Sequence, residues 1–332
     1  MSNAKLSTSR AVICVDTGTT NTRVWIVNQG NIVDRIDEQV GLRDAARERN
    51  NSSLRNSLRT LIAAARSKAA QSDLYPECVL AAGMLTSPLG LCEVPHIPAP
   101  AGEKELADSL YKLSDPQVTD LPIYLVPGIR SGPPSPSLED LEQTDLLRGE
   151  ETLVMGLMQA GVLSGNATLL NLGSHWKAIR IDERSRIASS YTTLTGELIH
   201  ALQAQTVLAS ALPQGRLEEL DADWLERGRR FESRNGTGRA MFSVRLLEQI
   251  FHVGQTPLSS FLLGTMIESD LRAMERSKHL NDPIVITGTG APASAWHLVL
   301  QSIGRTTRLC NPEIVDQAFV RGLVRLANFH RA

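Results

Sequence analysis

The sequence predicts an α/β protein of two domains with a cleft between them, and three observations carry that prediction. Its 332 residues are about twice a typical domain. Each half opens with apolar, strand-like runs that meet at a turn of Gly, Ser and Thr, followed by segments of helical periodicity. Between the halves stands Ser131-Gly-Pro-Pro-Ser-Pro-Ser137, the strongest compositional break in the chain, which places a hinge between it and Arg148. The expected domains are residues 8–144 and 145–332.

Taken in order, 11–15 is a continuous apolar run of the buried-strand type, closed by a polar turn; a β-branched run at 22–27, a Gln29-Gly30 turn and a third run at 32–36 complete a meander. Leu54, Leu58, Leu61, Ile62 and Ala65 recur at spacings of three and four, which predicts a helix with Asn51, Ser52 and Ser53 available as caps. A short strand at 79–82 delivers Gly83-Met84-Leu-Thr86-Ser87 and a stretch punctuated by Pro88, Pro95, Pro98 and Pro100. A loop that long in a compact domain is functional or disordered. Leu106, Leu110 and Leu113 suggest a helix, and 123–126 a strand. The second half reads as a helix at 149–160, a hairpin of 167–172 and 177–181, helices after Gly196, around Met241 to Phe251 and at 258–276, a strand at 284–287 and a closing helix through Val315 to Leu326.

Composition excludes several functions. With 42% apolar and 21% charged residues, the chain can bury real cores and is no disordered tail. Lys and Arg number 34 against 36 Asp and Glu, so the basic excess of a nucleic-acid binder is missing, and 4% aromatics argue against base-stacking platforms. Cys14, Cys78, Cys92 and Cys310 stand far apart, with no CxxC pair and no His at zinc spacing. Cys14 reads as a small buried hydrophobe. Residues 1–10 are polar without an apolar core of the signal-peptide kind, and no stretch reaches the roughly 18 apolar residues of a membrane span. The expectation is a cytoplasmic protein with reduced thiols, binding neither nucleic acid nor membrane; a homodimer is left open.

Asp16-Thr17-Gly18-Thr19-Thr20-Asn21 is the most informative segment. A carboxylate at the end of a buried strand, then Gly and small hydroxyl or amide residues in a tight turn, presents N–H groups and hydroxyls to a polyphosphate, while Asp16 can hold hydrated Mg²⁺. The G-x-x-x-x-G-K-[ST] loop occurs nowhere in the chain. Alone, the segment also fits a hairpin whose Asp and Thr merely cap the turn. Gly173, Ser174, His175 and Lys177 form a second small-residue turn between strands, able to face the first across the cleft, although Gly-Ser turns are ordinary hairpin chemistry.

Arg148-Gly149-Glu150-Glu151-Thr152 starts a helix whose next turns are apolar. Two acids in a first turn are ordinary dipole partners. The catalytic reading makes one of them the carboxylate that takes a proton from an attacking hydroxyl: Glu150 first, Glu151 as the close alternative, Asp145 as an outsider. Gly288-Thr289-Gly290-Ala-Pro-Ala293 superficially fits a dinucleotide fingerprint, but too little chain follows for a dinucleotide-binding half; it suits a turn against which an adenine or ribose lies flat.

In this order, a phosphate turn with Asp, an acidic helix start, a second phosphate turn and a Gly-rich turn resemble the actin-like ATPase and sugar kinase superfamily. More narrowly, Gly83-Met84, Glu93, Pro95, Pro98, Pro100, Arg148-Gly-Glu-Glu-Thr152, Gly173-Ser-His175 with Lys177, and Leu194-Thr195-Gly-Glu197-Leu198 resemble the 2-dehydro-3-deoxygalactonokinase family. The matches run from Asp16 to about Leu202, with a looser return at Gly288 to Gly290. Nothing specific is recognised over 205–281.

That resemblance implies a two-domain actin-like ATPase (ribonuclease H-like) fold with a mixed sheet in each lobe. It also implies ATP- and Mg²⁺-dependent phosphorylation of the terminal hydroxyl of a 2-keto-3-deoxy sugar acid, in galactonate degradation. The site residues it implies are Asp16, Gly18, Thr19, Thr20, Asn21, Gly173, Ser174, His175, Lys177, Gly288, Thr289 and Gly290 for nucleotide and metal. For the sugar acid they are Gly83, Met84, Thr86, Ser87, Arg148, Thr195 and Glu197. Arg148 and Arg130 are the candidates for its carboxylate, through bidentate pairing. Departures stand at Thr17, where the family usually has Trp, Leu172 for Pro, Trp176-Lys177-Ala178 for Ser-Lys-Trp, Leu91 for Trp and His96 for Tyr. An ATP-binding regulator that phosphorylates no small molecule, and a nicotinamide oxidoreductase, are the alternatives from other classes.

Overall fold

The computed structural model describes residues 11–41 and 50–330. The polar segment 1–10 and the expected domain start at residue 8 lie outside the described residues. The chain divides into two compact units, one of Met1–Ser164, Ser185–Ser189 and Glu313–Ala332, the other of Gly165–Arg184 and Ser190–Pro312.

In the first unit, β1 (Val12–Thr17), β2 (Thr22–Asn28) and β3 (Asn31–Glu38) form the antiparallel meander expected from their β-branched runs. Ile13, Val15, Val24 and Ile26 point into a core shared with Leu54, Leu58, Leu61 and Ile62 of α1 (Ser52–Ala70), one stripe of the helix repeating every three or four residues. β4 (Val79–Gly83) lies parallel to β1. After β5 (Ile97–Pro98) come α2 (Glu103–Asp108), β6 (Tyr111–Leu113) and β7 (Ile123–Leu125), which complete a six-stranded sheet of order β3-β2-β1-β4-β7-β6. The helix suggested by Leu106, Leu110 and Leu113 ends at Asp108: Leu113 instead pairs with Ile123 on an edge strand, so the three-residue spacing spans a helix, a turn and a strand.

β8 (Ile129–Ser131) and β9 (Asp145–Leu147) pair antiparallel, with Ile129 opposite Leu147 and Ser131 opposite Asp145, and β5 flanks β8. The Pro/Ser segment is therefore an excursion between two paired strands rather than a hinge between domains. Nor do the units divide at 144/145: β9 and α3 (Glu150–Gln159) belong to the first unit, and the closing helix α9 (Pro312–Phe329) returns to it. Contact at Gly156 makes this return close, since a Cβ there would lie 1.6 Å from the Ala318 carbonyl oxygen.

The second unit is built on a sheet of β10 (Thr168–Leu172), β11 (Trp176–Ile181), β12 (Ile187–Thr193, of which Ile187–Ser189 count with the first unit), β13 (Ile284–Thr287) and β14 (Thr307–Leu309), in the order β12-β11-β10-β13-β14. β10 is antiparallel to β11 and parallel to β13. The first unit repeats this pairing around its own first strand, with β1 antiparallel to β2 and parallel to β4. Helices α4 (Thr195–Gln205), α5 (Ala222–Asn235), α6 (Thr237–Gln249), α7 (Gln255–Arg276) and α8 (Gly290–Ser302) complete the unit. Trp176 packs edge-on against Trp296 at 5.9 Å in its core. Among the described residues no helix is long and apolar enough to cross a membrane.

Two alanine substitutions separate packing from propensity. Gly156→Ala is expected to destabilise by about 1–3 kcal/mol or more, because the new methyl meets backbone that cannot yield without moving α9. Gly238→Ala, exposed in α6 with nothing within 4 Å of the added carbon, is expected to stabilise by about 0.5 kcal/mol. Urea unfolding of both variants checks the opposite signs.

Candidate active site

The parallel pairing of β1 and β4 sets Thr17 beside Gly83, so both strands end at the same level. Gly83 has φ +83°, and a Cβ on it would stand 2.5 Å from the Thr17 carbonyl oxygen and 3.0 Å from Asp16 Oδ1. Gly149, with φ +104°, brings the start of α3 onto the same point: its own Cβ would be 3.2 Å from the Gly83 Cα. Both residues sit in backbone that L side chains rarely adopt, which is why glycine occupies them.

This convergence places acids together. Asp16 is 20% exposed at its side chain, and its pKa is pushed up to about 6, first by burial and then by the charges of Glu150 and Asp316, against the pull of Arg23 and Arg35. Arg23 stands opposite Asp16 across the hairpin, with Nη1 3.3 Å from Asp16 Oδ2. Glu151 is fully buried, and both its oxygens accept from the Gly149 N–H, at 2.8 and 2.9 Å. Glu150 is half-buried and accepts from the Arg148 N–H at 3.2 Å. The first-turn position lets the helix dipole favour both acids.

The turn after β1 is closed by the Gly18 N–H donating to the Asn21 carbonyl at 2.8 Å, leaving Thr19 and Thr20 part-exposed and Asn21 exposed. Gly41 backs it, since a Cβ there would meet the Thr19 oxygen at 2.5 Å. Thr17, in place of the family's usual Trp, is buried with its hydroxyl 3.2 Å from that of Thr22.

The proline-punctuated loop is ordered by its own hydrogen bonds. Ser87 Oγ donates to the Met84 carbonyl at 2.8 Å, Thr86 Oγ1 to the Gly83 carbonyl at 3.1 Å, and the Val94 N–H to the Thr86 carbonyl at 3.0 Å. Arg148 ties it to α3, with Nη1 donating to Thr86 Oγ1 at 2.5 Å and Nη2 to the Val94 carbonyl at 3.1 Å and His96 Nδ1 at 3.3 Å. Its guanidinium pKa is lowered by burial, against the raising effect of Glu151 and Glu93. Arg130, half-buried on β8, donates from Nη2 to the Pro134 carbonyl at 2.6 Å. Asp145 stands on β9 opposite Ser131.

In the second unit, Gly173, Ser174 and His175 form the tight turn between β10 and β11. Lys177 is buried on β11 opposite Asn171, not solvated. Glu197 meets the turn twice: its N–H donates to the Ser174 carbonyl at 2.7 Å, and Oε2 lies 3.3 Å from His175 Nε2. At the end of β13, Gly288 packs against Leu172, Thr289 occupies the N-cap position of α8 without a side-chain cap hydrogen bond, and the Ala291 N–H donates to the Leu217 carbonyl at 2.8 Å. Sequence reading missed Arg23, Gly41 and Asp270, a buried acid under Thr193 and Thr195. The cross-strand register of β1 and β2 was the one available signal, for Arg23.

A sheet whose first strand pairs antiparallel with the next and parallel with a later one recurs in both units, with an acid at the end of β1 and a glycine turn after the first strand of each, and this is the pattern of the actin-like ATPase and sugar kinase fold. A crystal structure of a candidate 2-dehydro-3-deoxygalactonokinase from Sinorhizobium meliloti shares that fold at 23% identity and TM-score 0.73, covering 95% of this chain and 98% of the other. The family model of 2-keto-3-deoxy-galactonokinase matches residues 16–326, and the chain belongs to that family. It is accordingly a sugar-acid kinase, a phosphotransferase. More distant structures include a 2-hydroxyisocaproyl-CoA dehydratase activator from Clostridium difficile with bound ADPNP (12% identity, 96% and 95% covered, TM-score 0.49). Another is a candidate N-acetylglucosamine kinase from Porphyromonas gingivalis (14%, 93% and 98%, 0.46). No curated protein matches the chain in sequence.

The raised pKa of Asp16 has a sign. Its carboxylate costs stability once pH exceeds the ordinary value of 3.8, and the cost is complete above about 6. Asp16→Asn, measured without nucleotide and with a chelator present, is expected to be more stable than the parent at pH 8, by at most about 3 kcal/mol. The difference should vanish below pH 4. Equal melting temperatures at pH 8 would contradict the assignment.

Proposed function

We propose that this kinase transfers the γ-phosphoryl group of ATP to the terminal 6-hydroxyl of 2-dehydro-3-deoxy-D-galactonate, giving the 6-phosphate and ADP. The observation that carries the reading is the Asp16 and Glu150 carboxylates held close at the meeting of β1, β4 and α3, in a chain of this kinase family.

Glu150 is the general base of this reading. Both oxygens of Glu151 are occupied by the Gly149 N–H, and Asp145 lies back on β9, whereas Glu150 keeps the electrostatic link to Asp16. The residues present fit a divalent cation: an acid whose pKa is raised by burial and neighbouring acids gains from a cation beside it. Mg²⁺ usually keeps several waters and is bound through one or two carboxylates and phosphate oxygens, a role Asp16 could fill. Bound with the nucleotide, Mg²⁺ supplies neutralisation of phosphate charge. Asp16 would hold it, Gly18, Thr19, Thr20 and Asn21 would offer N–H and hydroxyl donors to phosphate, and so would Gly173, Ser174 and His175 with Lys177. Gly288, Thr289 and Gly290 would border the adenosine.

Gly83, Met84, Thr86 and Ser87 would line the sugar acid. Arg148 serves it in a restricted way. With Nη2 donating to both Val94 and His96, no complete two-point fork remains for a carboxylate, so Arg148 offers single N–H contacts and mainly holds the loop. Use of ATP and reduced thiols supports a cytoplasmic location.

Coupled ADP release across a panel of sugars and 2-keto-3-deoxy acids tests the reading. The expected result is turnover that depends on a 2-keto-3-deoxy sugar acid. A slow ATPase indifferent to every acid would overturn it in favour of a nucleotide-binding regulator. Glu150→Gln is expected to lower kcat about 10²–10⁴-fold with little change in KM. Glu151→Gln, losing half of a buried N–H clamp, should lower the melting temperature instead; wild-type turnover by both variants would remove the base from this helix.

A further inference from the structure

We propose that Asp270 is a positioning residue for the turn at 173–175, acting through Thr193, Thr195 and Gly196. The inference rests on the reading that this turn meets the nucleotide phosphates. Asp270 is the one ionisable side chain among the buried residues of α7. A carboxylate in such a place is costly unless donors reach it. Two do: Thr193 Oγ1 donates to Oδ2 at 2.8 Å, the Thr195 hydroxyl also hydrogen-bonds the carboxylate, and the two hydroxyl oxygens are 3.1 Å apart. Burial raises the pKa of Asp270, and these two hydroxyls lower it.

Thr193 ends β12 and Thr195 begins α4, so the carboxylate fixes the link between them. The next residue makes the connection to the turn. A Cβ on Gly196 would lie 2.3 Å from the Gly173 carbonyl oxygen and 2.7 Å from that of Ser174, so the turn rests directly on the first turn of α4. Glu197 then holds Ser174 through its N–H and faces His175 through its carboxylate. Asp270 and Thr195 are 8% and 4% exposed, which leaves them to act through the turn rather than on a ligand. The Thr195-Gly196-Glu197 motif thus seats a phosphate-binding turn instead of lining the sugar acid. An error of about 1 Å in such a seat is enough to cost large factors in phosphoryl transfer.

The test uses the full-length enzyme and three variants, Asp270→Ala, Asp270→Asn and Thr195→Val, the last nearly isosteric should the first fail to fold. Initial rates give KM for ATP and for the sugar acid separately, and melting with and without MgADP gives a binding readout independent of turnover. The expected result is a rise of about tenfold or more in KM for ATP in Asp270→Ala and a smaller rise in Thr195→Val. The MgADP-induced melting shift should shrink in both, and KM for the sugar acid should stay near the parental value. Asp270→Asn, which keeps one acceptor oxygen, should recover part of the ATP affinity. Unchanged KM for ATP, or equal rises for both substrates alongside a lower melting temperature, would overturn the proposal. Absence of any MgADP shift in the parent itself would instead overturn the reading on which it rests.

Discussion

The chemistry of the first unit depends on one close approach, that of Gly149 to Gly83. Helix α3 can begin against the end of β4 only because neither residue carries a side chain and both accept positive φ. The effect of that contact is electrostatic. It delivers Glu150 and Glu151 to the neighbourhood of Asp16, and each acid needs a different remedy. Glu151 is satisfied by the Gly149 N–H, Glu150 by the Arg148 N–H and the helix terminus, and Asp16 only partly by Arg23. The least compensated acid therefore sits at the end of the first strand, where a divalent cation would be most welcome. The structure concentrates its electrostatic strain at the position its chemistry would use.

Much of the fold was legible because its central strands are buried on both faces and its first helix buries one stripe. The meander, the hairpin of β10 and β11, and β13 announce themselves mainly through continuous apolar runs, and α1 through three-and-four spacing. Helix α5 is harder to read, for a physical reason: its stripe of Trp224, Leu225 and Phe231, which packs on Phe261 and the core, is interrupted by Gly228 and the buried Glu232. A Cβ on Gly228 would stand 2.1 Å from the Phe261 oxygen, and one on Gly264 2.0 Å from the Leu225 oxygen, so backbone contact fills the gap in that stripe. Helix α8 is hidden by the opposite circumstance, being apolar nearly all round and buried on most of its faces. In β12, Ser189, Ser190, Thr192 and Thr193 remove the alternation that would mark a strand.

The site was readable where chemistry and local order coincide, as in the Asp16 turn and the Arg148 to Thr152 helix start. It was unreadable where partners are brought together only by the fold. Asp270 lies 77 positions from Thr193, and Arg148 reaches Thr86 across 62. No periodicity links such residues. The Pro/Ser stretch misled for a related reason: proline and serine mark a departure from regular structure, but composition cannot say whether the chain leaves one domain for another or returns to the strand beside the one it left.

That return has a consequence for the chain's covalent continuity. β8 and β9 hold their register through Ile129 with Leu147 and Ser131 with Asp145, at the base of the excursion rather than along it. The segment 133–137 is thus topologically dispensable: a nick there would leave both new ends anchored within the same sheet, and added residues would cost little more than loop-closure entropy, which grows only slowly with length. Of the chain's connections, this one is suited to carry new termini or an inserted domain.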